Sequence, residues 1–206
     1  ILRRDGAQVS AHSTLAAAND PHLNLSPAAA AYDHSVATAC EALAGPTVMA
    51  AIDAAAFAAV DGLTDDAAWP VLRGHLAVLA ARGDDPVAAL NTAAAGRDLG
   101  AAADRAAVLD WRLDATGRHH GGRGPLPWLP SIPDALAREP EWASYLDARA
   151  AAVTAHRDAI AADVATWTPT TAPVWARPFL GADDTAELVT DLAVFRAAHA
   201  VSYTHL

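Results

Sequence analysis

Apolar residues recur every three or four positions along most of the chain, which is the spacing of one face of an α-helix. Valine and isoleucine are too sparse and scattered for a sheet-rich protein. The pattern therefore predicts an all-α fold: a helical bundle with αα-hairpins, a Gly/Pro-rich joint, then a long helix and a terminal helix. The predicted helices lie at 10–19, 26–44, 46–60, 64–83, 86–97, 104–117, 140–166 and 184–199, with one helical turn at 133–137.

Capping residues and prolines mark where these helices begin. Ser26–Pro27 and Asp85–Pro86 each place a capping side chain directly before a proline that suits the first helical position. The segment 20–25 is predicted as a turn. The aspartate pairs at 65–66, 84–85 and 183–184 each stand just before a helix. Capping of the following helix explains these pairs better than paired catalytic carboxylates do.

Seven of the predicted helices have an apolar face that we expect to be buried. The faces consist of Tyr32, Val36, Ala39 and Leu43; Val48, Ile52, Ala56 and Val60; Trp69, Leu72, Leu76 and Leu79; Val87, Leu90 and Ala94; Val108 and Trp111; Trp142, Leu146, Val153, Ile160 and Trp167; and Leu188, Leu192 and Phe195. Four of the six tryptophans belong to these faces, so core packing is favoured over stacking on single-stranded nucleic acid. Trp128 and Trp175 lie in proline-rich connectors, which we expect them to pin onto the helices.

The segment 117–133 interrupts the helical pattern with four glycines and four prolines. No helix can run through it, because each proline lacks an N–H and fixes φ. We therefore predict residues 1–116 as a helical bundle, 117–133 as a joint, and 134–200 as a long helix, a proline-rich connector and a terminal helix. Residues 201–206 break the pattern and resemble a translated sequencing adaptor, so the chain is expected to be an internal fragment of a longer protein.

Composition narrows the classes of partner. The net charge of −10 argues against binding nucleic acid by phosphate neutralisation over the whole surface. The single cysteine, Cys40, excludes a disulfide within the chain and a multi-cysteine zinc site. No uninterrupted apolar run reaches the length of a membrane span. We therefore expect a cytoplasmic protein that does not bind membranes.

No motif for catalysis or cofactor binding is present. All fourteen basic residues are arginines, so the lysine of a P-loop is missing, and neither G-x-S-x-G nor H-E-x-x-H occurs. His119 and His120 are adjacent in the joint, without a cysteine or carboxylate at ligand spacing. A solvated loop is therefore favoured over a metal site, and an enzyme using this pair is a third hypothesis for function. His75 and His156 lie on helices and are expected to have no partners.

One region is locally basic. Arg112, Arg118 and Arg123 are its candidate contacts to nucleic-acid phosphates, and together with Trp128 they form the candidate nucleic-acid contact. Asp110 and Asp114 partly offset the positive charge. A solvated hinge is the other interpretation of this region.

Three stretches, taken in order, resemble a known family. They are LRRDGAQVSA at 2–11, AAVLDWRLDATGRHHGGRGPLPWLPSIPDALAREPEWASYLDAR at 106–149, and WTPTTAPVWARPFL followed by LVTDLAVFRAAHAV within 167–201. Together they resemble the C-terminal region of actinobacterial conjugative relaxases of the MobF, or TrwC-like, type. The resemblance extends over nearly all of residues 1–200.

The resemblance implies a large cytoplasmic parent protein. In that family a relaxase domain nicks plasmid DNA through a tyrosine and a histidine-bound divalent metal, and a helicase domain unwinds the strand with ATP. None of those motifs matches a position here, so no catalytic, cofactor or metal residue can be assigned. The implied function is a non-catalytic accessory region that follows the motor and contacts relaxosome or transfer-machinery proteins, with DNA bound through the parent. The alternative is a nucleic-acid-contacting helical module that uses the arginine region.

Overall fold

In the computed structural model, residues 19–96, 99–114, 124–181 and 185–199 are described. Their regular structure consists of α-helices and two short 3-10 helices, with no strand among them, which confirms the all-α prediction. The α-helices are α1 (Pro21–Ala59), α2 (Trp69–Ala81), α3 (Pro86–Ala94), α4 (Arg105–Asp114), α5 (Asp134–Ala137), α6 (Pro140–Val164) and α7 (Ala186–Ala198). The 3-10 helices are Leu63–Asp65 and Arg177–Phe179. The predicted helix at 10–19 falls almost entirely outside the described residues.

Helix α1 begins at Pro21 and not at Ser26, so the predicted turn at 20–25 is wrong. Asp20 caps this helix: its Oδ1 accepts the backbone N–H of His22 at 2.9 Å, and its carbonyl accepts those of two further residues in the first turn. The same signal, a capping residue followed by a proline, was therefore present six residues earlier than predicted. Leu25, within that first stretch, is completely buried, which ties the stretch to the core.

The predicted helix boundary at Gly45 is confirmed. Gly45 has φ 74° and ψ 171°, which breaks α1, and Pro46 starts the second segment. A positive φ of this kind favours glycine, because a side chain would clash with the backbone. Leu43, expected on the buried face, is 40 % exposed near this break.

Two other predicted ends are also confirmed. Gly83 has φ 90° and follows α2. The Gly83 N–H donates to the Ala80 carbonyl, and the Asp84 N–H donates to the Leu79 carbonyl. These two bonds form a Schellman motif. Asp85 then caps α3, accepting the backbone N–H groups of Val87 and Ala88 at 3.0 Å.

The chain divides into two compact units. The larger unit is residues 31–151, and the smaller combines residues 1–30 with 152–206. This division differs from the predicted one, which placed a joint at 117–133. The described part of that segment, 124–133, falls within the larger unit.

In the larger unit, α2, α3 and α4 pack against one another. Gly74 of α2 lies so close to α1 that a Cβ atom on it would be 2.8 Å from the Cβ of Ala37. The described part of the predicted joint, 124–133, is packed as well. Leu126 and Leu129 are buried, and the Tyr32 hydroxyl donates to the Pro130 carbonyl at 2.6 Å. This part is a loop that covers the core, because its leucine side chains are buried in the unit and its Pro130 carbonyl accepts a hydrogen bond from Tyr32.

In the smaller unit, the register of α7 differs from the predicted one. Its buried residues are Val189, Ala193, Val194 and Ala197. Leu188 and Phe195, predicted to face the core, are 49 % and 45 % exposed. The buried face is therefore shifted by about one position from the predicted one, and Leu192, the third predicted residue, is half-buried. Of the face predicted for α6, Val153 and Ile160, like Leu146 of the larger unit, are completely buried, whereas Trp142 and Trp167 are half-buried.

One helix is apolar enough to cross a membrane by length and composition alone. An 18-residue window within α1 has a mean hydropathy of 1.5. The sequence prediction looked for a continuous run of apolar residues. The mean hydropathy of the window is high because α1 contains many alanines, although polar residues interrupt the run. Core helices of globular proteins that pass the same test are mostly buried, whereas only 17 % of this window is buried. The buried side chains of α1 include Tyr32, Val36 and Ile52.

Candidate functional site

The predicted arginine region is only partly described. Arg118, Arg123, His119 and His120 lie outside the described residues. Arg112 is half-buried, and its Nη1 donates to the carbonyl of Ala93 at 2.8 Å. That carbonyl belongs to the last turn of α3, where free carbonyl groups need donors. Arg112 therefore has a structural contact, and Trp128 is half-buried in the loop that covers the core.

The tryptophans have different environments. Trp69 is buried as predicted, but Trp111 is 68 % exposed, so its assignment to the core is wrong. On α4 the buried positions are Ala106, Leu109 and Leu113, and Trp111 falls between them on the outer side. Trp175 meets the Trp167 ring edge to face at 5.8 Å, and the Arg196 guanidinium lies over it at 5.2 Å. Trp175 therefore pins its connector to α7, as predicted.

A groove in the larger unit brings together side chains from α1 and α6. Its volume is about 520 Å³. The lining residues are His34, Ser35, Thr38, Glu141, Trp142 and Tyr145. On each helix they occupy positions i, i+1 and i+4, of which i and i+4 are neighbours on one face. We call this the aromatic groove.

Two rings form the apolar wall of the aromatic groove. Trp142 and Tyr145 meet edge to face, with centroids 6.3 Å apart. The guanidinium carbon of Arg149 lies 5.2 Å from the centroid of the Tyr145 ring, a cation–π distance. The Ser35 and Tyr145 hydroxyls are 3.3 Å apart. The Ser35 hydroxyl, and next the Arg149 guanidinium, lower the pKa of Tyr145 because both stabilise its phenolate.

The polar groups of the aromatic groove include a hydroxyl that is bound to the backbone and a carboxylate. The Ser35 hydroxyl donates to the Ala31 carbonyl at 2.6 Å, and among the described residues it contacts no histidine or carboxylate that would serve as a base. Glu141 supplies the carboxylate of the lining. Within the described part of the chain that carboxylate has no hydrogen-bond or ion-pair partner.

A second groove, of about 470 Å³, lies in the smaller unit. Its polar groups bind one another. Asp163 Oδ2 accepts a hydrogen bond from the Trp167 indole at 3.1 Å and lies 3.1 Å from His22 Nε2. The His22 ring also stacks on Trp167, at a centroid distance of 6.4 Å. These mutual contacts make this site a structural network that holds the ends of α1 and α6.

His75 has partners that we did not predict. It is 7 % exposed; its Nδ1 lies 2.5 Å from Asp110 Oδ1, and its Nε2 lies 3.8 Å from Asp33 Oδ2. Burial alone lowers the pKa of His75, but the two carboxylates outweigh burial and raise it to about 9. Its burial was predictable, since it shares a helix face with Leu72 and Leu79. Nothing in the sequence indicates that His75 pairs with Asp110.

The aspartates that precede helices do act as caps, but Asp66 caps a different helix from the predicted one. It accepts the backbone N–H groups of Arg105 and Ala106 at the start of α4, at 2.7 and 3.2 Å. In return, Asp104 accepts the N–H of Ala68 at the start of α2, at 2.9 Å. The Arg105 hydrogen bonds hold the pKa of Asp66 at about 2. This crossed capping is structural, and the pair at 183–184 lies outside the described residues.

Among the described residues no group of three or more His, Cys, Asp and Glu side chains is placed to hold a metal ion. Comparison with family models, with curated proteins and with solved structures finds no match to this chain.

Proposed function

We propose that the chain is a non-catalytic helical accessory region of a conjugative relaxase–helicase, located in the cytoplasm, and that it acts by contacting other proteins of the transfer machinery. The aromatic groove is the observation that supports protein contact. The link to relaxases rests on the resemblance of three stretches of sequence.

The residue types in the aromatic groove are those that dominate protein interfaces. Tryptophan, tyrosine and arginine are enriched among the residues that carry most of the binding energy. Here Trp142, Tyr145 and Arg149 lie side by side, and Tyr145 is 42 % exposed. The two rings gain affinity when a partner displaces the water that covers them, and the four polar lining residues supply hydrogen bonds and charge.

The link to relaxases is tested by reading the source DNA upstream of Ile1. The expected frame continues into a G-x-x-x-x-G-K-[ST] motif and, further upstream, a histidine cluster with tyrosines. A start codon directly before Ile1 would contradict the proposal, because the chain would then be a separate small protein.

Protein contact is tested with the full-length parent and the products of the transfer genes beside it, each assayed for co-purification. Trp142→Ala is expected to reduce the recovery of one of them about tenfold, since interface tryptophans are frequent hot spots. Phe57→Ala is the matched control, because Phe57 is 75 % exposed and lies outside the groove. Equal recovery with both variants would count against the aromatic groove.

A second candidate function is contact with single-stranded nucleic acid, favoured by the 68 % exposure of Trp111, which lies shortly before Arg118 and Arg123 in the sequence. Exposed rings next to arginines stack on bases and attract phosphates. The expected result is a salt-dependent affinity for single-stranded DNA that falls in Trp111→Ala and in Arg118→Ala/Arg123→Ala. No binding at low salt would exclude this function.

A further inference from the structure

We propose that the aromatic groove binds an arginine side chain of a partner polypeptide. This inference deepens the proposed function and rests on it. It specifies the chemistry of the partner: an exposed, basic segment with an arginine that enters between Glu141 and Trp142.

The rings of the groove suit a planar cation. A guanidinium group is attracted to the negative face of an aromatic ring, and tryptophan is the strongest such ring. Arg149 already lies over Tyr145 at 5.2 Å. Among the described residues, Trp142 makes one ring contact, the edge-to-face contact with Tyr145. Its indole is only half-buried. Trp142 is therefore the ring that remains for an incoming cation.

Charge complementarity selects a basic partner. The Glu141 carboxylate, which lines the groove beside Trp142, has no partner within the described chain. The whole chain carries a net charge of −10, so its field attracts basic segments. A partner cation would give Glu141 an ion pair at the same time as it stacks on Trp142.

Arginine fits this arrangement better than lysine. Its planar fork places two N–H groups on one carboxylate while its flat face stacks on a ring, whereas an ammonium group is a compact point charge. The His34 and Thr38 side chains, both exposed on α1, also line the groove and add polar atoms to it. The volume of about 520 Å³ accommodates one long side chain with the flanking backbone.

The test uses the whole chain and the peptide acetyl-Gly-Ser-Arg-Ser-Gly-amide. Binding is followed by the indole N–H resonance of Trp142 in proton–nitrogen NMR spectra, which the variant Trp142→Phe assigns. We expect a saturable shift of that resonance. The same peptide with citrulline, the neutral isostere of arginine, is expected to bind about tenfold more weakly, because it loses both the ion pair and the cation–π attraction. A lysine peptide is expected to fall between them.

Matched variants locate the contact. Glu141→Gln is expected to weaken binding of the arginine peptide roughly fivefold, as for loss of an exposed ion pair. Glu139→Gln makes the same charge change outside the lining and is expected to leave binding unchanged. Arg149→Gln is expected to maintain or tighten binding, since it removes a neighbouring positive charge.

Equal binding of the arginine and citrulline peptides, or equal loss in both glutamate variants, would overturn the inference. Preferential binding of a glutamate peptide that is lost in Arg149→Gln would also overturn it, by showing that the groove takes anions. If the arginine peptide fails while Trp142→Ala still releases a transfer protein, the inference is wrong and the proposed function stands. If neither responds, both are wrong.

Discussion

His75 holds a proton between two carboxylates in the interior of the larger unit. The folded chain keeps this proton to a higher pH than the unfolded chain, since burial is outweighed by Asp110 and Asp33 and the pKa rises from 6.5 to about 9. The ion pair joins α1, α2 and α4, the three helices that carry these residues. Proton binding at His75 is thereby coupled to the stability of the unit.

We expect the free energy of unfolding to fall as the pH rises from about 6.5 to 9. The raised pKa means that the stabilisation is fully present below the unfolded value and is lost as the pH passes the folded value. The loss would reach up to about 3 kcal/mol if the full shift applies. Urea unfolding at a series of pH values measures it.

His75→Gln should flatten this pH dependence, whereas His156→Gln should leave it unchanged. His156 is a half-buried histidine that has no partner among the described residues. An unchanged slope in His75→Gln would show that another group is responsible. From the sequence, the helical spacing was enough to place His75 on a buried face. The identity of its partners depends on how three helices come together, which no local pattern encodes.

Helix boundaries were predicted from the sequence more accurately than the buried faces of the helices. The signals at Gly45, Gly83 and Asp85 were predicted correctly, because capping depends on residues adjacent in sequence. The start at Pro21 was missed in favour of an equivalent signal at Ser26. The face of α7 was predicted about one position off, because the leucine and phenylalanine spacing was followed while Val189, Ala193, Val194 and Ala197 form the buried face.

The contact between Gly74 of α2 and Ala37 of α1 gives a prediction at the level of helix packing. Gly74→Ala is expected to destabilise the fold by about 1 kcal/mol. The new methyl group would lie 2.8 Å from the Ala37 Cβ and force the helices apart. Overpacking typically costs 1–3 kcal/mol, about 1 kcal/mol of which the better helix propensity of alanine offsets. Chemical denaturation measures the change.

A double variant separates crowding from other effects. In an Ala37→Gly background, Gly74→Ala should become neutral or stabilising, because the opposing methyl group is gone. The two substitutions should thus be strongly non-additive, as expected for residues in direct contact. Additive effects would mean that the two helices do not approach one another at these positions.

At the scale of the whole molecule, the sequence predicted a helical chain with a proline-rich interruption but not the role of that interruption. Proline and glycine content shows where a helix cannot continue. It does not show whether the interrupted segment is solvated or packed, since that depends on apolar residues such as Leu126 and Leu129 finding a surface to cover. The aromatic groove was missed for a similar reason: its two halves lie about a hundred residues apart in sequence.

Gly124→Ala distinguishes a packed loop from a solvated joint by the sign of its effect. In a solvated joint, alanine would be neutral or would stabilise by roughly 0.4–1 kcal/mol, because it restricts the unfolded chain. In the folded protein, however, a Cβ atom on Gly124 would overlap the backbone carbonyls of Leu129 and Pro130. Those are backbone atoms of the loop that accepts the Tyr32 hydroxyl, so they cannot move aside without disturbing the core. We therefore expect a lower melting temperature, and an unchanged or higher one would show that residues 124–133 are not part of the larger unit.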